Sequence, residues 1–161
     1  MTIRDRAFAA LASLHPAPVF LDAYRLQQLP ENLDIYVGCP EEFFLAPESL
    51  AAYDEGRLVP LLDDGNFGKV TFLDTAGGLV QKLIEQPNEP VARFTNWQQY
   101  LARLMIDVAE STDDDERVRR IADLVGFRHF DELIRFLDPP PQSPPQDYYD
   151  RRTRFISSIQ G

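Results

Sequence analysis

Between residues 58 and 84 three short apolar runs are separated by two sequences that can only turn. Leu58-Val59-Pro60-Leu61-Leu62, Lys69-Val70-Thr71-Phe72-Leu73 and 79–84 flank Asp63-Asp64-Gly65-Asn66 and Asp74-Thr75-Ala76-Gly77-Gly78. Glycine, asparagine and aspartate supply the backbone geometry of tight reversals. Neither link is long enough for the crossover of about a dozen residues that parallel neighbours need, so the runs must pair antiparallel. The chain is therefore expected to carry a three-stranded meander. Pro60 cannot donate to a ladder, which assigns the first run to an edge, and 91–94 offers a further short strand.

The remaining segments read as helices around this meander. Ile3, Ala7, Phe8, Leu11 and Leu14 share a helical stripe behind Thr2, a candidate N-cap, and His15-Pro16-Ala17-Pro18 closes it. Phe20, Leu21, Tyr24 and Leu29 allow a second helix over 19–29 ended by Pro30. Residues 33–37 read as a strand leaving into Gly38-Cys39-Pro40, and 47–53 as a short helix with proline at its start. Thr95-Asn96-Trp97-Gln98 has the capping-box pattern ahead of a helix over 96–110, whose Trp97, Tyr100, Leu101 and Leu104 are expected to pack on the sheet. Helices are also expected over 117–125, stopped by Gly126, and over 129–137. Residues 138–145 hold five of the thirteen prolines and read as an extended linker before a terminal helix over 147–159. The expected fold class is α+β, a single twisted, mainly antiparallel sheet flanked by helices. Its domain spans 1–110, with 111–161 a helical hairpin, Pro-rich linker and terminal helix as an extension.

Composition narrows the function. With 161 residues and 44% hydrophobic content, the chain can build a core. Its 26 acidic against 16 basic residues give a net charge of −10, which repels phosphate backbones and anionic lipid. Neither nucleic acid nor a membrane is an expected partner. Cys39 is the single cysteine, so no internal disulfide forms and the chain reads as cytoplasmic. The apolar run 7–12 is shorter than the core of a signal peptide. Fourteen arginines against two lysines suggest the codon bias of a GC-rich bacterial genome.

Nucleophilic catalysis needs a base beside Ser or Cys, and the two histidines, His15 and His129, stand in no supporting pattern. Cys39 reads as a small buried hydrophobe. The run Asp113-Asp114-Asp115-Glu116 lacks the spacing of a calcium loop and reads as a charged helix start. Gly65-Asn66-Phe67-Gly68-Lys69 fails as a phosphate loop, since Asp63 stands where a glycine is required and Val70 where Ser or Thr is. No catalytic, cofactor-binding or metal site is expected, and no enzyme. Within 113–137, Ile121-Ala122, Val125-Gly126-Phe127, Leu133, Arg135 and Leu137 lie in an order that resembles the second half of an AraC-type helix-turn-helix, but its would-be recognition helix carries Asp131 and Glu132, which suit phosphates badly, and the family needs two such units.

The charge map is more telling. Residues 19–66 hold ten acidic and two basic residues, a concentration that suits a docking surface for a basic partner. The candidate contacts are Glu31, Asp34, Glu41, Glu42, Glu48, Asp54, Glu55, Asp63 and Asp64, with Tyr36, Phe43, Phe44 and Tyr53 as aromatic anchors.

Over about 29–110 the order of pieces resembles the SUKH superfamily, which joins Smi/Knr-type cell-wall-synthesis regulators with bacterial immunity proteins of toxin systems. The resemblance rests on Leu29-Pro30, the helix over 47–53, Val59-Pro60-Leu61 entering Asp63-Asp64-Gly65, Phe72-Leu73-Asp74 with Gly78 behind it, and Phe94-Thr95-Asn96-Trp97 leading into Tyr100-Leu101. The chain departs from it where a glycine pair is common, having only Gly38, and in its tail. The resemblance implies a non-catalytic protein-binding domain, an immunity protein that neutralises a cognate toxin, often a nuclease. The chain itself is expected to be a monomer or weak homodimer. A Smi/Knr-type regulatory adaptor is the alternative.

Overall fold

The computed structural model describes residues 1–53, 56–138 and 145–161. The chain forms an α+β fold in two compact units, Met1–Thr95 and Asn96–Gly161. The helix expected over 96–110 at the end of the first domain groups with the C-terminal helices instead.

The first unit is built on the meander. Strands β1 (Leu58–Asp63), β2 (Lys69–Asp74), β3 (Leu79–Leu83) and β4 (Pro90–Phe94) form an antiparallel sheet in the order β1-β2-β3-β4. Pro60 lies in an edge strand, as its missing N–H requires. The register of β1 on β2 shifts between Pro60 and Leu62, a bulge that upsets the in–out alternation, so Leu61, Leu62 and Asp63 are all buried. The turn after β2 is held by Asp74, whose carboxylate accepts from Arg57 Nε and Nη2, each at 2.8 Å, and from the Ala76 amide at 2.9 Å. These donors, the Arg57 guanidinium first, hold the Asp74 carboxyl below the usual carboxylate range.

Around the sheet lie α1 (Ile3–Ser13), α2 (Pro18–Tyr24), α3 (Glu41–Leu45) and 3-10 turns at Pro30–Ile35 and Pro47–Tyr53. Thr2 and Asp5 cap α1 reciprocally. The second helix ends at Tyr24, earlier than its apolar spacing suggests, and Leu26 follows with φ 55°. Residues 33–37 correct the expectation of a strand. Leu33 and Val37 are buried while Ile35 is 63% exposed. That is one side of a helical turn, closed by the Val37 amide donating to the Leu33 carbonyl at 3.0 Å. Only Gly38 reaches the sheet, through an isolated bridge to Asp63. One core cluster joins Phe43, Leu50, Tyr53, Leu58, Val70, Phe72 and Val80. Phe43 makes edge contacts with Tyr53 and Phe67 at ring separations of 5.2 and 5.0 Å, and Tyr53 stacks on Phe72 at 5.5 Å.

The second unit is helical: α4 (Trp97–Glu110), α5 (Asp115–Val125), α6 (Phe130–Leu137) and α7 (Pro145–Ser158). Asn96 rather than Thr95 caps α4, accepting from the Gln99 amide at 3.0 Å. Gln98 is buried and bridges the turn beyond α5, donating to the Gly126 carbonyl at 2.9 Å and accepting from the Arg128 amide at 3.0 Å. Gly126 ends α5 in the left-handed conformation, φ 75°. Tyr100, Leu101 and Leu104 are buried, whereas Trp97 is half-buried and stacks on Tyr100 at 4.6 Å. The expected linker 138–145 lies mostly outside the described residues.

Candidate partner-binding surface

The acid-rich stretch is organised by a junction between two segments. At the end of β1, Asp63 pairs with Gly38 in both directions: the Asp63 amide donates to the Gly38 carbonyl at 2.9 Å and the Gly38 amide to the Asp63 carbonyl at 3.2 Å. The Asp63 side chain is 8% exposed, and its Oδ1 accepts from the Gly65 amide at 2.8 Å. Glycine is required at both neighbouring positions. A Cβ on Gly38 would land on Asp63 Oδ1, and one on Gly65, at φ +89°, would meet the backbone of Asp34 and, at 2.8 Å, the Ile35 carbonyl carbon. The 63–68 turn thus sits directly on residues 34–38. Within the turn the Gly68 amide donates to Asp64 Oδ1 at 3.0 Å and Asn66 Oδ1 at 3.1 Å.

Behind the junction lie Tyr24, Cys39 and α3. The Tyr24 hydroxyl donates to the Leu61 carbonyl at 2.6 Å, and burial raises its pKa. Burial, with Glu41, Asp63 and Glu42 adding to it against Arg4, pushes the Cys39 thiol up to about 12. A buried thiol that resists ionisation is a poor nucleophile. The Asp63 carboxyl is raised to about 6, first by burial and then by Asp64, Glu42 and Glu41, against the Gly65 hydrogen bond. Arg4 reaches in from α1, contacting the Tyr24 carbonyl and approaching Glu41 at 3.4 Å.

An open cleft of about 440 Å³ adjoins the junction, with Ala23, Leu26, Leu29, Val37, Gly38, Cys39, Asp34 and Gly65 among its lining. Its walls mix apolar side chains with Gln27, Gln28 and Asp34. Leu26 is 61% exposed on its wall, and on neighbouring segments Ile35 and Leu45 are 63% and 85% exposed.

The contacts expected from sequence divide accordingly. Asp34, Glu42 and Glu48 are exposed, and Glu31, Tyr36, Glu41, Phe44 and Asp64 are half-buried. Asp34 also accepts from the Leu29 amide at 2.8 Å, which shapes the 3-10 turn. Phe43, Tyr53 and Asp63 leave the pool of surface contacts. Phe43 is 1% and Tyr53 5% exposed, both in the core cluster, and the Tyr53 hydroxyl donates to the Ile84 carbonyl at 2.8 Å. Asp63 is turned inward by the bulge in β1. Asp54 and Glu55 lie outside the described residues. Sequence reasoning did not single out Leu26, Ile35 and Leu45 as exposed apolar side chains. Ile35 was placed in a strand, and nothing in apolar identity alone distinguishes the other two from core leucines.

The other candidates lie elsewhere. His15 is exposed after α1, while His129 donates from Nε2 to the Gln160 carbonyl at 3.0 Å in the second unit. Asp114 caps α5 by accepting from the Arg117 amide at 3.0 Å, and Asp131 and Glu132 are exposed on α6. Among the described residues no group of three His, Cys, Asp or Glu side chains could hold a metal ion. No helix among them is long and apolar enough to cross a membrane. No protein-family model, curated protein or solved structure matches the chain.

Proposed function

We propose that the chain is a non-catalytic protein-binding domain that docks a basic protein through the acid-rich surface of its sheet-bearing unit, as an immunity protein neutralising a cognate toxin. One observation carries the reading. Residues 19–66, with ten acidic against two basic side chains, fold so that 34–42 and 63–66 lie together while Asp34 and Glu42 stay in solvent. Concentrated negative charge steers a basic partner, and the exposed Leu26, Ile35 and Leu45 offer apolar contacts that rim charges alone lack. A nuclease suits this surface because its substrate groove must be positively charged. The resemblance of 29–110 to the SUKH superfamily is in keeping with the same role.

Co-expression tests it. A toxic domain encoded beside this gene, expressed alone, is expected to arrest growth. The wild-type chain restores growth, and Glu42→Lys/Glu48→Lys restores it less at equal soluble level. A chain that restores nothing, or a double variant that protects as well as wild type, overturns the reading.

A further inference from the structure

The cleft beside the junction holds a carboxylate that no cation of the described residues neutralises. Asp34 is exposed in its lining, and the Leu29 amide donates to its Oδ1 at 2.8 Å. That bond fixes the direction of the carboxylate and leaves Oδ2 without a donor among the described residues. The two bases of 19–66 are committed elsewhere, Arg25 to Asp22 at 2.7 Å and Arg57 to Asp74 at 2.8 Å. Gln27 and Gln28 are exposed in the same lining, and their side-chain amides make no hydrogen bond to another described residue. Leu26, Leu29 and Val37 supply the apolar part of the wall. The volume, about 440 Å³, is at the small end of ligand pockets and suits one long side chain with the backbone that carries it.

We propose that this cleft receives a single arginine side chain of the basic partner, its guanidinium on Asp34 and the two glutamine amides and its stem along Leu26, Leu29 and Val37. The inference rests on the docking reading and names the anchor at that surface. Several acceptors beside an apolar wall call for a flat cation carried on methylenes. A guanidinium is planar, presents five donors and is weakly hydrated, so it serves a carboxylate and two amide oxygens together and gives up water readily. Its aliphatic stem covers apolar wall while the charge stays on the acceptors. A lysine ammonium is a compact, strongly hydrated point charge that gains from Asp34 alone. A partly desolvated arginine holds the partner in place, whereas rim charges such as Glu42 and Glu48 mainly set the rate of encounter.

Three blocked tripeptides test the cleft on the full chain at low salt: N-acetyl-Gly-Arg-Gly-amide and its lysine and citrulline counterparts. Citrulline keeps the shape of arginine without the charge. In amide NMR spectra the arginine peptide should shift the Leu29 and Val37 signals saturably, with a Kd in the millimolar range. The lysine peptide should bind at least about threefold more weakly, and the citrulline peptide should give no saturable shift. Asp34→Asn keeps an acceptor for the Leu29 amide but loses the charge, and it should weaken the arginine peptide by about tenfold. If that variant does not fold, the three peptides on the wild-type chain decide. Equal response to arginine and lysine or citrulline, unchanged binding by Asp34→Asn, shifts centred on α3, or no saturable shift at all overturns the arginine cleft. Since no partner is present, failure here leaves the docking reading standing, and failed growth rescue leaves the cleft standing.

Discussion

The two units of this chain handle backbone geometry differently. Asn96–Gly161 consists of helices with ordinary ends, Asn96 and Asp114 as side-chain caps and Gly126 as the left-handed stop. Gly126 is its one left-handed position among the described residues. Met1–Thr95 instead places five non-glycine residues at positive φ: His15, Leu26, Glu31, Asn32 and Phe67. Four of them fall between 26 and 67, around the acid-rich surface. Each costs about 1 kcal/mol relative to glycine. Charge follows the same division, with 14 acidic against 7 basic residues in the first unit and 12 against 9 in the second. Unfavourable backbone and like charge thus fall together in the sheet-bearing unit, which is in keeping with the docking role proposed for it.

The largest difference between the units lies in their cores. Phe43, 1% exposed, anchors the sheet-bearing unit, and Ile121, 0% exposed, lies inside the helical one. Phe43→Ala should cost about 3–5 kcal/mol and Ile121→Ala about 2–5 kcal/mol by chemical denaturation. Exchange protection should fall mainly in the unit that carries each substitution. Equal loss throughout would mean that the two units unfold as one.

A smaller effect sharpens it. Leu26 is exposed and at φ 55°, so Leu26→Gly should be neutral or stabilising by up to about 1 kcal/mol, because glycine meets no Cβ penalty there. Arg154 is exposed inside α7, and Arg154→Gly should cost about 1 kcal/mol. Melting curves that rank the two the other way would remove the contrast in backbone strain.

What was legible in the sequence follows the physics of each segment. The meander could be read because its turns announce themselves and each run is short, and α5 because Gly126 and the acidic start bracket one apolar face. The stretch from 30 to 45 was opaque. Leu33 and Val37 are spaced for a helical turn, but Ile35 and Tyr36 between them give the texture of a strand. Asp34, read as a surface charge, also organises the turn through the Leu29 amide. The helix at 41–45 carries no capping side chain and exists because Phe43 is buried. The same limit governed the site. Asp34, Glu42 and Glu48 are exposed because charge prefers water, whereas Phe43 and Tyr53 could not be separated from surface aromatics without a helical or strand register. The inward turn of Asp63 depends on a bulge that Pro60 only hints at.

Under the proposed function a basic partner is recognised by the sheet-bearing unit and not by the acids of the helical one. The most direct measurement is the association rate with the toxic domain identified by growth rescue, followed by stopped-flow between 0.1 and 1 M salt, where the screening length falls from about 10 Å to about 3 Å. The wild-type rate should drop about tenfold or more over this range. Glu42→Lys/Glu48→Lys should already be about tenfold slow at low salt, while Asp115→Lys/Glu116→Lys, at the start of α5, should stay within about twofold of wild type. A rate indifferent to salt, or slowed as much by the second pair as by the first, would contradict the account.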